Sequence, residues 1–419
     1  MPSGPENQPL QLHRLRIFDA VATTGTMRAA ADLLHITQPA VTRALQALED
    51  ALSAKLMERR RAGSFATPEG IILARRTRRF FQHIDAALAD TIGADARGAA
   101  IGRLTRKIGD VHIRSLIAIG KAGSFRGAAQ ALGIAEPTLH RPARDLERLM
   151  KISLFRRTLD GIGLSATGVE LARQFALAGV EIATATEELA AHRGAAGTTI
   201  TIGVLPLAPK RQLAIVTEKL LRARGPSRIV ITEASYDELV VALRNGTIDL
   251  IFGALRAPPP FADLSEEHLF EDPYGIVCRK DHPLTRLSRP KIDDLRHYAW
   301  VFPTANLPRR AVLDAMIAAW NLSRRAQIET NSVGALVADL AASDHISLLP
   351  RAYVAADDHT GMLAVLGLTV PHPPRIVGLT ARRGWLPTQF QSEFIALLRA
   401  AETGEYTRRR GSSRPSSDA

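Results

Sequence analysis

The sequence has little sulfur and no long apolar run. Its 419 residues include one cysteine, Cys278, which excludes an internal disulfide and favours a reducing cytoplasm. We interpret this cysteine as a small buried hydrophobe in a strand rather than as a nucleophile. The sequence has no apolar N-terminal leader and no run of membrane-spanning length, so neither secretion nor a membrane partner is predicted.

Catalytic and metal-binding motifs are also missing. The sequence contains no nucleophile elbow, no P-loop, no GxGxxG and no Cys/His cluster with metal-ligand spacing. We therefore predict no catalytic residue, no metal and no cofactor.

Positive charge is abundant. The formal net charge is +12, and apolar residues make up 46% of the chain, as in a globular protein of two to four domains. Arginines cluster at 59–61, 75–79 and 156–157. This balance favours a polyanionic partner.

Two short helices joined by a turn are predicted near the N-terminus. Residues 27–34 form the first helix, because apolar side chains recur there at helical spacing. Those side chains are Ala30, Leu33 and Leu34. His35 and Ile36 make a tight connection to the second helix. Thr37 can N-cap that helix through its hydroxyl, and Pro39 falls in its first turn, where a missing N–H costs nothing.

The second helix has one apolar face and one polar face. Its apolar stripe is Val41, Leu45 and Leu48. Its outward polar residues are Gln38, Thr42 and Arg43. Small polar side chains at the leading end are typical of a helix-turn-helix, which places that end in the DNA major groove. An ordinary helical hairpin is the alternative.

A basic turn between two short extended pieces follows at residues 56–70. The arginines of this turn are Arg59, Arg60 and Arg61. The pattern predicts a wing whose arginines meet phosphates rather than bases. For any one arginine, a solvated surface charge is the alternative.

Residues 10–70 resemble the N-terminal winged helix of the LysR-type transcriptional regulators. The matching residues are Phe18, Val21, Gly25, Ala30, Leu34, Thr37, Gln38, Pro39, Ala40, Val41, Thr42, Leu48, Glu49, Arg59, Thr67 and Gly70. Double-stranded DNA is thus the expected partner, with Thr37 and Pro39 at its binding end. Phosphate contacts are expected from Arg28, Arg43 and the wing. Base contacts are expected from Gln38, Thr42 and Arg43, since Gln pairs with adenine and Arg with guanine.

A linker helix is predicted over residues 71–93. Its apolar stripe suggests a partner helix. In the family that the chain resembles, such a helix pairs two subunits, which implies a homo-oligomer, either a dimer or a tetramer. Packing of this helix within one chain is the alternative.

The winged-helix pattern repeats at a constant offset of 98 residues. The repeated positions are Gly25 and Gly123, Ala30 and Ala128, Pro39 and Pro137, Arg43 and Arg141, Glu49 and Glu147, Arg59 and Arg157, and Gly70 and Gly168. A second winged helix is therefore predicted at 108–168, followed by a second linker helix at 169–193.

The second copy differs where base contacts would form. Ala135 and Glu136 replace Thr37 and Gln38, and Pro142 lies inside the second helix, where it should kink the chain. One interpretation is a structural or dimerising spacer, which we favour. The other is a weak DNA contact through His140, Arg141, Arg144, Arg156 and Arg157.

Residues 198–401 alternate strands with helices, which predicts a parallel α/β sheet divided between two lobes. The predicted fold is therefore two tandem winged helix-turn-helix segments followed by a two-lobed α/β effector domain. A disordered basic tail is predicted at 402–419.

This region resembles the LysR effector domain, a fold shared with periplasmic solute-binding proteins. The matching residues include Ile200, Ile202, Gly203, Gly225, Pro226, Gly246, Ile248, Asp249, Leu250, His282, Pro283 and Leu284. The resemblance implies a small-molecule effector between the lobes. The positions that would line the cleft are Leu205, Leu207, Lys210, Thr304, Asn306, Asn331 and Ser332. Thr304 and Ser332 acting only as helix caps is the alternative.

These features predict a LysR-like regulator that binds DNA and responds to an effector. An enzyme on the two-lobed fold is one alternative, disfavoured by the missing motifs. An architectural DNA-binding protein without a ligand is the other.

Overall fold

The structure is a computed structural model that divides into two compact units, 1–198 and 199–419. The described residues are 11–60, 63–93, 98–158, 161–195, 197–256, 258–323, 326–357 and 361–410. Within these ranges no helix combines the length and the apolar character needed to cross a bilayer.

The first half of the N-terminal unit is a small helical domain with a hairpin. Its elements are α1 (Leu12–Thr24), α2 (Met27–Leu34), α3 (Gln38–Leu52), β1 (Met57–Arg60), β2 (Gly63–Ala66) and α4 (Pro68–Ile92). The two strands pair antiparallel, as the wing prediction requires. The helix predicted over 27–34 is confirmed at both ends.

Local signals explain the tight turn between α2 and α3. The Thr26 hydroxyl accepts from the Ala29 amide at 3.1 Å, which caps α2, and His35 ends it in the left-handed conformation with φ 56°. Thr37 is the N-cap residue, as predicted, but its side chain accepts no capping hydrogen bond, so the predicted role of its hydroxyl is wrong. Leu33 is predicted on the apolar face of α2, but its side chain is 59% exposed, because Met27 and Ala31 are buried on that face instead.

The second half repeats this arrangement. Its elements are α5 (Gly98–Lys107), α6 (Asp110–Ala122), α7 (Phe125–Leu132), α8 (Glu136–Met150), β3 (Phe155–Thr158), β4 (Gly161–Leu164) and α9 (Ala166–His192). Helix α5 lies between the predicted linker helix at 71–93 and the predicted second winged helix at 108–168. Pro142 is buried and lies inside α8, which continues through it.

The C-terminal unit alternates strands and helices. Its elements are β5 (Thr199–Val204), α10 (Lys210–Arg224), β6 (Arg228–Glu233), α11 (Tyr236–Arg244), β7 (Leu250–Ala254), β8 (Leu264–Asp272), β9 (Tyr274–Arg279), β10 (Trp300–Pro303), α12 (Pro308–Ala319), β11 (Ala326–Thr330), α13 (Val333–Ala342), β12 (Ser347–Pro350), β13 (Leu363–Val365), β14 (Arg375–Arg382) and α14 (Gln389–Arg410).

The strands form two groups. The first has the order β6-β5-β7-β14-β8, and the second contains β12-β9-β13 together with the pair β10-β11, joined by a bridge between Trp300 and Ile346. Among the described strands, β6-β5-β7 and β10-β11 pair parallel, and the bridge between Trp300 and Ile346 is also parallel. The prediction of a parallel sheet is thus wrong for β8, β9, β12, β13 and β14, which pair antiparallel.

Separate cores lie behind the two groups of strands. Phe252 and Phe394 are buried with the first group, whereas Trp300 and Phe302 are buried with the second. The chain passes between the groups after β8 and returns before β14. Helix α14 extends to Arg410, so helix replaces the predicted disorder over 402–410, while 411–419 lie outside the described residues.

Candidate nucleic-acid interface and ligand cleft

The leading end of α3 presents polar side chains to solvent. Gln38, Pro39 and Arg43 are exposed, as is Thr37 just before the helix. Thr42 is half-buried, and its hydroxyl donates to the Gln38 carbonyl oxygen at 3.2 Å. Of the three predicted base-contacting residues, the structure therefore leaves Gln38 and Arg43 most open to a partner.

The opposite face of α3 holds the helix in place. Val41, Leu45 and Leu48 are almost fully buried in the core of the N-terminal domain. Because this stripe fixes the rotation of α3, Gln38 and Arg43 are presented from a rigid support. An exposed amide and guanidinium on such a support can each pair with a base edge in two-point fashion.

The wing and α2 supply the surrounding positive charge. Arg28 is exposed in the first turn of α2. Arg60 lies 2.7 Å from Glu58 in an ion pair, and its guanidinium stands 5.4 Å from the Phe65 ring. The backbone of Arg59 lies in β1, and Arg61 lies outside the described residues. A partner phosphate would therefore compete with Glu58 for Arg60.

Glu49 was matched to the family without a role, and the structure supplies one. It is buried, and one carboxylate oxygen accepts from the amides of Leu56 and Met57 at 2.9 and 3.1 Å. Lys55 pairs with the other oxygen at 2.6 Å. Glu49 thus ties the end of α3 to the first strand of the wing. Its recurrence at the 98-residue offset was the signal that could have revealed this role.

The corresponding surface of the second domain is occupied by its own side chains. His140 stacks on Phe125 with centroids 4.3 Å apart and planes within 5°, and its Nε2 lies 3.3 Å from a Glu136 oxygen. Met27 and Thr42 hold the equivalent positions in the first domain. The leading end of α8 therefore combines a carboxylate with an imidazole that faces inward.

The remaining cations of the second domain divide into two groups. Arg144 donates to Glu147 at 2.7 Å, and Arg156 donates to the Leu164 carbonyl oxygen at 3.2 Å. Arg141 and Arg157 are exposed. Arg141 and Arg157, together with Arg126 at the position equivalent to Arg28, thus have the open placement that a phosphate contact requires.

In the C-terminal unit, one side of the candidate cleft follows β5. Leu205 donates its amide to the Phe252 carbonyl oxygen at 3.1 Å. Leu207 packs against the buried cluster of the other strand group, which includes Val301. Lys210 opens α10 but forms an ion pair with Glu233 at 2.5 Å. Leu207 therefore reaches the second lobe, whereas Lys210 is engaged within the first.

The other side follows two adjacent parallel strands. Pro303 and Thr330 are register partners at the ends of β10 and β11, so the two loops beyond them leave the same sheet edge. The predicted cleft residues on these loops are Thr304, Asn306, Asn331 and Ser332. Thr304 donates to Asn306 at 2.8 Å, and the Ser332 hydroxyl accepts from the Ala335 amide at 3.2 Å as the cap of α13.

A buried ion pair lies where the chain passes between the lobes. Arg375 donates to Asp272 at 2.7 Å and to the Leu207 carbonyl oxygen at 2.7 Å. Asp272 also accepts from the Ala352 amide at 3.1 Å. Asp272 is the last residue of β8, and Arg375 is the first residue of β14. This ion pair therefore joins the two points at which the chain passes from one lobe to the other. No local sequence pattern predicts this ion pair, because its partners lie 103 residues apart.

Arg309 is a buried cation near the same crossing. Its guanidinium donates to the Leu348 carbonyl oxygen at 2.7 Å. Burial lowers the pKa of Arg309 to about 10, partly offset by nearby Tyr274, while Arg375 lowers it further. Arg309 donates to a neutral carbonyl oxygen, whereas Arg375 is already paired with the Asp272 carboxylate. Sequence reasoning missed Arg309, which lies only three residues beyond the predicted cleft loop.

Cys278 and His282 are two side chains of the C-terminal unit whose surroundings indicate a structural role. Burial raises the pKa of Cys278 in β9 to about 12, so the thiol stays protonated. His282 bonds to the Asp344 carbonyl oxygen and the Leu284 amide, both at 3.1 Å. Across the described ranges no cluster of three or more His, Cys, Asp or Glu could hold a metal ion.

A rigid helix with exposed base-pairing groups, followed by an α/β domain of two lobes, defines a class of ligand-responsive DNA-binding regulators. The family model for the bacterial regulatory helix-turn-helix protein of the lysR family matches residues 12–71 and again 111–169. The model for the LysR substrate binding domain matches residues 193–403, half of the chain. The chain belongs to the LysR family.

Relatives match along most of the chain. The transcriptional regulator GalR of Pseudomonas putida is 27% identical over 398 residues, covering 94% of this chain and 97% of its own. The transcriptional regulator PcaQ of Agrobacterium fabrum is 27% identical over 295 residues, covering 69% and 94%. A structure of full-length OxyR from Pseudomonas aeruginosa superposes with a TM-score of 0.50 at 19% identity, covering 70% and 94%, which shows a shared fold.

Proposed function

We propose that this protein is a sequence-specific transcriptional regulator that binds operator DNA through α3 and responds to a small molecule held between the lobes of its C-terminal unit. The observation that carries this proposal is the exposure of Gln38 and Arg43 on a helix whose other face is buried. We expect the regulator to work as an oligomer in the cytoplasm, where the DNA is.

The proposed DNA contacts fall into two kinds, contacts to base edges and contacts to phosphates. Gln38 and Arg43 would meet base edges, with Thr42 in a secondary role because its hydroxyl already bonds within the helix. Phosphate contacts would come from Arg28, Arg43 and the wing arginines 59–61, with Thr37 and Pro39 shaping the leading end.

We also propose that both N-terminal domains are winged helix-turn-helix modules and that only the first recognises bases. The second family match supports the shared architecture. The Glu136–His140 pair at the leading end of α8 supports the loss of base recognition, because these two side chains replace Gln38 and Thr42 and contact each other, with the imidazole stacked on Phe125.

For the C-terminal unit we propose the two-lobed plan of periplasmic solute-binding proteins, used for sensing rather than catalysis. The effector would contact Leu205, Leu207 and the loops 304–306 and 331–332, with Lys210 beside them. The buried Arg309 guanidinium, which donates to a carbonyl oxygen, favours an effector that carries a carboxylate or another anion. Lobe closure would shift the population of DNA-binding conformations.

Genomic footprinting of the full-length protein tests the DNA proposal. Duplexes from the protected sites should be bound in preference to competitor DNA. The variant Gln38→Ala should lose roughly 5- to 100-fold of that preference, the size of one two-point base contact. Gln46→Ala is the matched control, because Gln46 is exposed on the same helix but donates to Asp50. Absence of any preferred duplex would reject the proposal.

A thermal-shift screen of the full-length protein tests the sensor proposal. Metabolites bearing carboxylates should raise the melting temperature and alter binding to the preferred duplex, whereas their neutral amides should not. Turnover of a hit would favour an enzyme. DNA binding that no compound changes would favour an architectural protein.

A further inference from the structure

Helices α4 and α9 pack against each other in opposite directions. Glu69 near the start of α4 lies 3.9 Å from His192 at the end of α9, and Arg76 lies 2.7 Å from Glu188. Further along α4, His83 lies 3.5 Å from Glu181. As numbers rise on one helix they fall on the other, so the helices are antiparallel.

Buried charges occupy the centre of this contact. The Arg76 side chain is 2% exposed and donates to Glu181 at 2.9 Å and to Glu188 at 2.7 Å. Arg79 adds a hydrogen bond to Glu181 at 3.0 Å. Burial raises the pKa of Glu181, but hydrogen bonds from His83, Arg76 and Arg79 outweigh it and bring the pKa to about 2. Removing one partner from such a cluster leaves a buried charge uncompensated.

Each linker helix also completes the hydrophobic core of the other domain. Phe80, Ile84 and Leu88 of α4 are buried in the core that contains the second domain. Ala185 of α9 is buried in the core of the first domain, with Ile182 packed against it.

Polar contacts close the same junction. Arg193, just beyond α9, donates to the carbonyl oxygens of Leu52 and Ser53 at the end of α3, at 2.9 and 3.0 Å. Arg16 of the first domain donates to the Ile108 carbonyl oxygen at 2.8 Å. These contacts hold the two domains as one body.

The geometry matches a two-fold arrangement on DNA. The two domains repeat at a constant offset, and each stands at the start of its own linker helix. Because the helices are antiparallel, the two domains lie at opposite ends of the pair. Helices of 25 and 27 residues span about 37–40 Å at 1.5 Å per residue. Successive major-groove segments on one face of a duplex recur at about 34–36 Å.

The complete set of charges is matched only when α4 pairs with α9; in a pair of two α4 helices Arg76 would keep one carboxylate, because Asp90 corresponds to Glu188. At the 98-residue offset, Arg76 corresponds to Gln174 and Glu181 corresponds to His83. In a pair of two α9 helices, Glu181 would face Gln174 and lose the Arg76 guanidinium. In a pair of two α4 helices, Arg76 would face His83 instead of Glu181. The buried cluster therefore favours the unlike pair.

We propose that each chain is a complete DNA-binding pair, in which α4 and α9 hold two unlike winged domains so that one chain spans two half-sites of one operator. This inference rests on the proposed DNA-binding function. The half-site under α3 is recognised at its bases, and the half-site under α8 is held through phosphates by Arg141 and Arg157. Contacts between chains then use a surface other than α4.

Cross-linking in the full-length protein tests the pairing without DNA. Cys278→Ser removes the native thiol, and Glu69→Cys with His192→Cys places two thiols at the partly exposed end of the helix pair. A short bismaleimide should link the two sites within one chain, which mass spectrometry detects as an internal loop at monomer mass. The single-cysteine variants are the controls and should give no loop. Linked dimers, or no link between the two sites, would overturn the proposal.

Footprinting with the cross-linked protein tests the DNA geometry. Native mass spectrometry gives the number of chains per duplex, and the footprint gives the number of protected major-groove segments. Two segments per chain are expected, and one per chain would overturn the proposal. Scrambling the first half-site should abolish preference over competitor. A shorter duplex that lacks the second half-site should bind about tenfold or more weakly at low salt, with the same preferred sequence.

The two experiments separate this inference from the function on which it rests. An internal loop without any preferred duplex would reject DNA recognition and leave the pairing intact. A preferred duplex protected as one segment per chain would reject the built-in pair and leave the regulator intact.

Discussion

Arg43 and Arg141 occupy equivalent positions at the 98-residue offset but have different neighbours. Both side chains are exposed. Arg43 shares α3 with Gln38, an exposed amide that can also pair with a base edge. Arg141 follows His140, which is stacked on Phe125 and close to Glu136. At the scale of single residues, neighbours rather than position decide what an arginine can recognise.

Replacing the two arginines in turn should separate their roles. Arg43→Ala should reduce binding of the preferred duplex to the level of competitor DNA, because both a base contact and a phosphate contact are lost. Arg141→Ala should lower affinity for all duplexes alike and barely change the preference for that duplex, because only a phosphate contact is lost. Gel shifts with and without competitor measure both effects. Equal losses of preference would show that the second domain also recognises bases.

At the scale of elements, a close backbone approach joins each wing to its linker helix. A β-carbon on Gly70 would lie 2.0 Å from the Leu56 carbonyl oxygen, and one on Gly168 would lie 2.2 Å from that of Leu154. No side chain fits at either position without backbone movement. This constraint accounts for the glycine that ends the family motif in both copies.

Gly70→Ala should therefore destabilise the N-terminal unit. A loss of about 2–4 kcal/mol in unfolding free energy is expected, in the range of substitutions that force core or backbone movement. Gly179→Ala in α9 is the matched control, because no atom lies within 4 Å of the added carbon and alanine favours the helix. Urea unfolding followed by circular dichroism compares the two. Equal stabilities would contradict the close approach.

The contact between α4 and α9 should make stability depend on pH. The pKa of Glu181 is lowered from 4.5 to about 2, so its carboxylate stabilises the folded state above about pH 5. That stabilisation is lost as the pH falls towards 2, when the folded state also takes up the proton.

Glu181→Gln removes the titrating group and tests this dependence. The variant should be less stable than the parent at pH 7, and the difference should shrink between pH 5 and pH 2. Urea unfolding at a series of pH values gives both curves. A difference that stays constant over this range would show that Glu181 is not the titrating group.

At the scale of the whole molecule, the chain has a net charge of +12, whereas the proposed DNA-contacting surface contains only a few of its cations. Phosphate contacts release counterions, so their number determines how steeply affinity falls with salt. Base contacts contribute little to that slope. Salt dependence thus separates the general attraction of the chain to DNA from its recognition of sequence.

Arg60→Ala should weaken binding to all duplexes and reduce the slope of log affinity against log salt by about one. Sequence preference should survive, because the wing contacts phosphates. Arg222→Ala is the control, since Arg222 lies in the C-terminal unit and pairs with Glu218. Fluorescence anisotropy across a salt series measures the slopes. A changed preference with an unchanged slope would place Arg60 at the bases.

Much of the candidate DNA surface was predictable because its signals are local. The helix over 27–34, the proline in the first turn of α3 and the antiparallel wing all follow from short patterns. The exposure of Leu33 and the missing cap hydrogen bond at Thr37 did not, because each depends on which neighbour fills the space. Arg309 and the Asp272–Arg375 ion pair were not predictable, since their partners are distant in sequence.

By itself the sequence predicted two winged domains of one plan before an α/β domain, because a repeat with a constant offset, helical periodicity and turn residues are properties of neighbouring positions. Only the tertiary structure decided that α4 pairs with α9 of its own chain. An apolar stripe requires that a helix be covered, but the identity of the covering surface depends on contacts such as Arg76 with Glu181, across 105 residues. The antiparallel strands β8 and β13 were likewise decided by distant pairing.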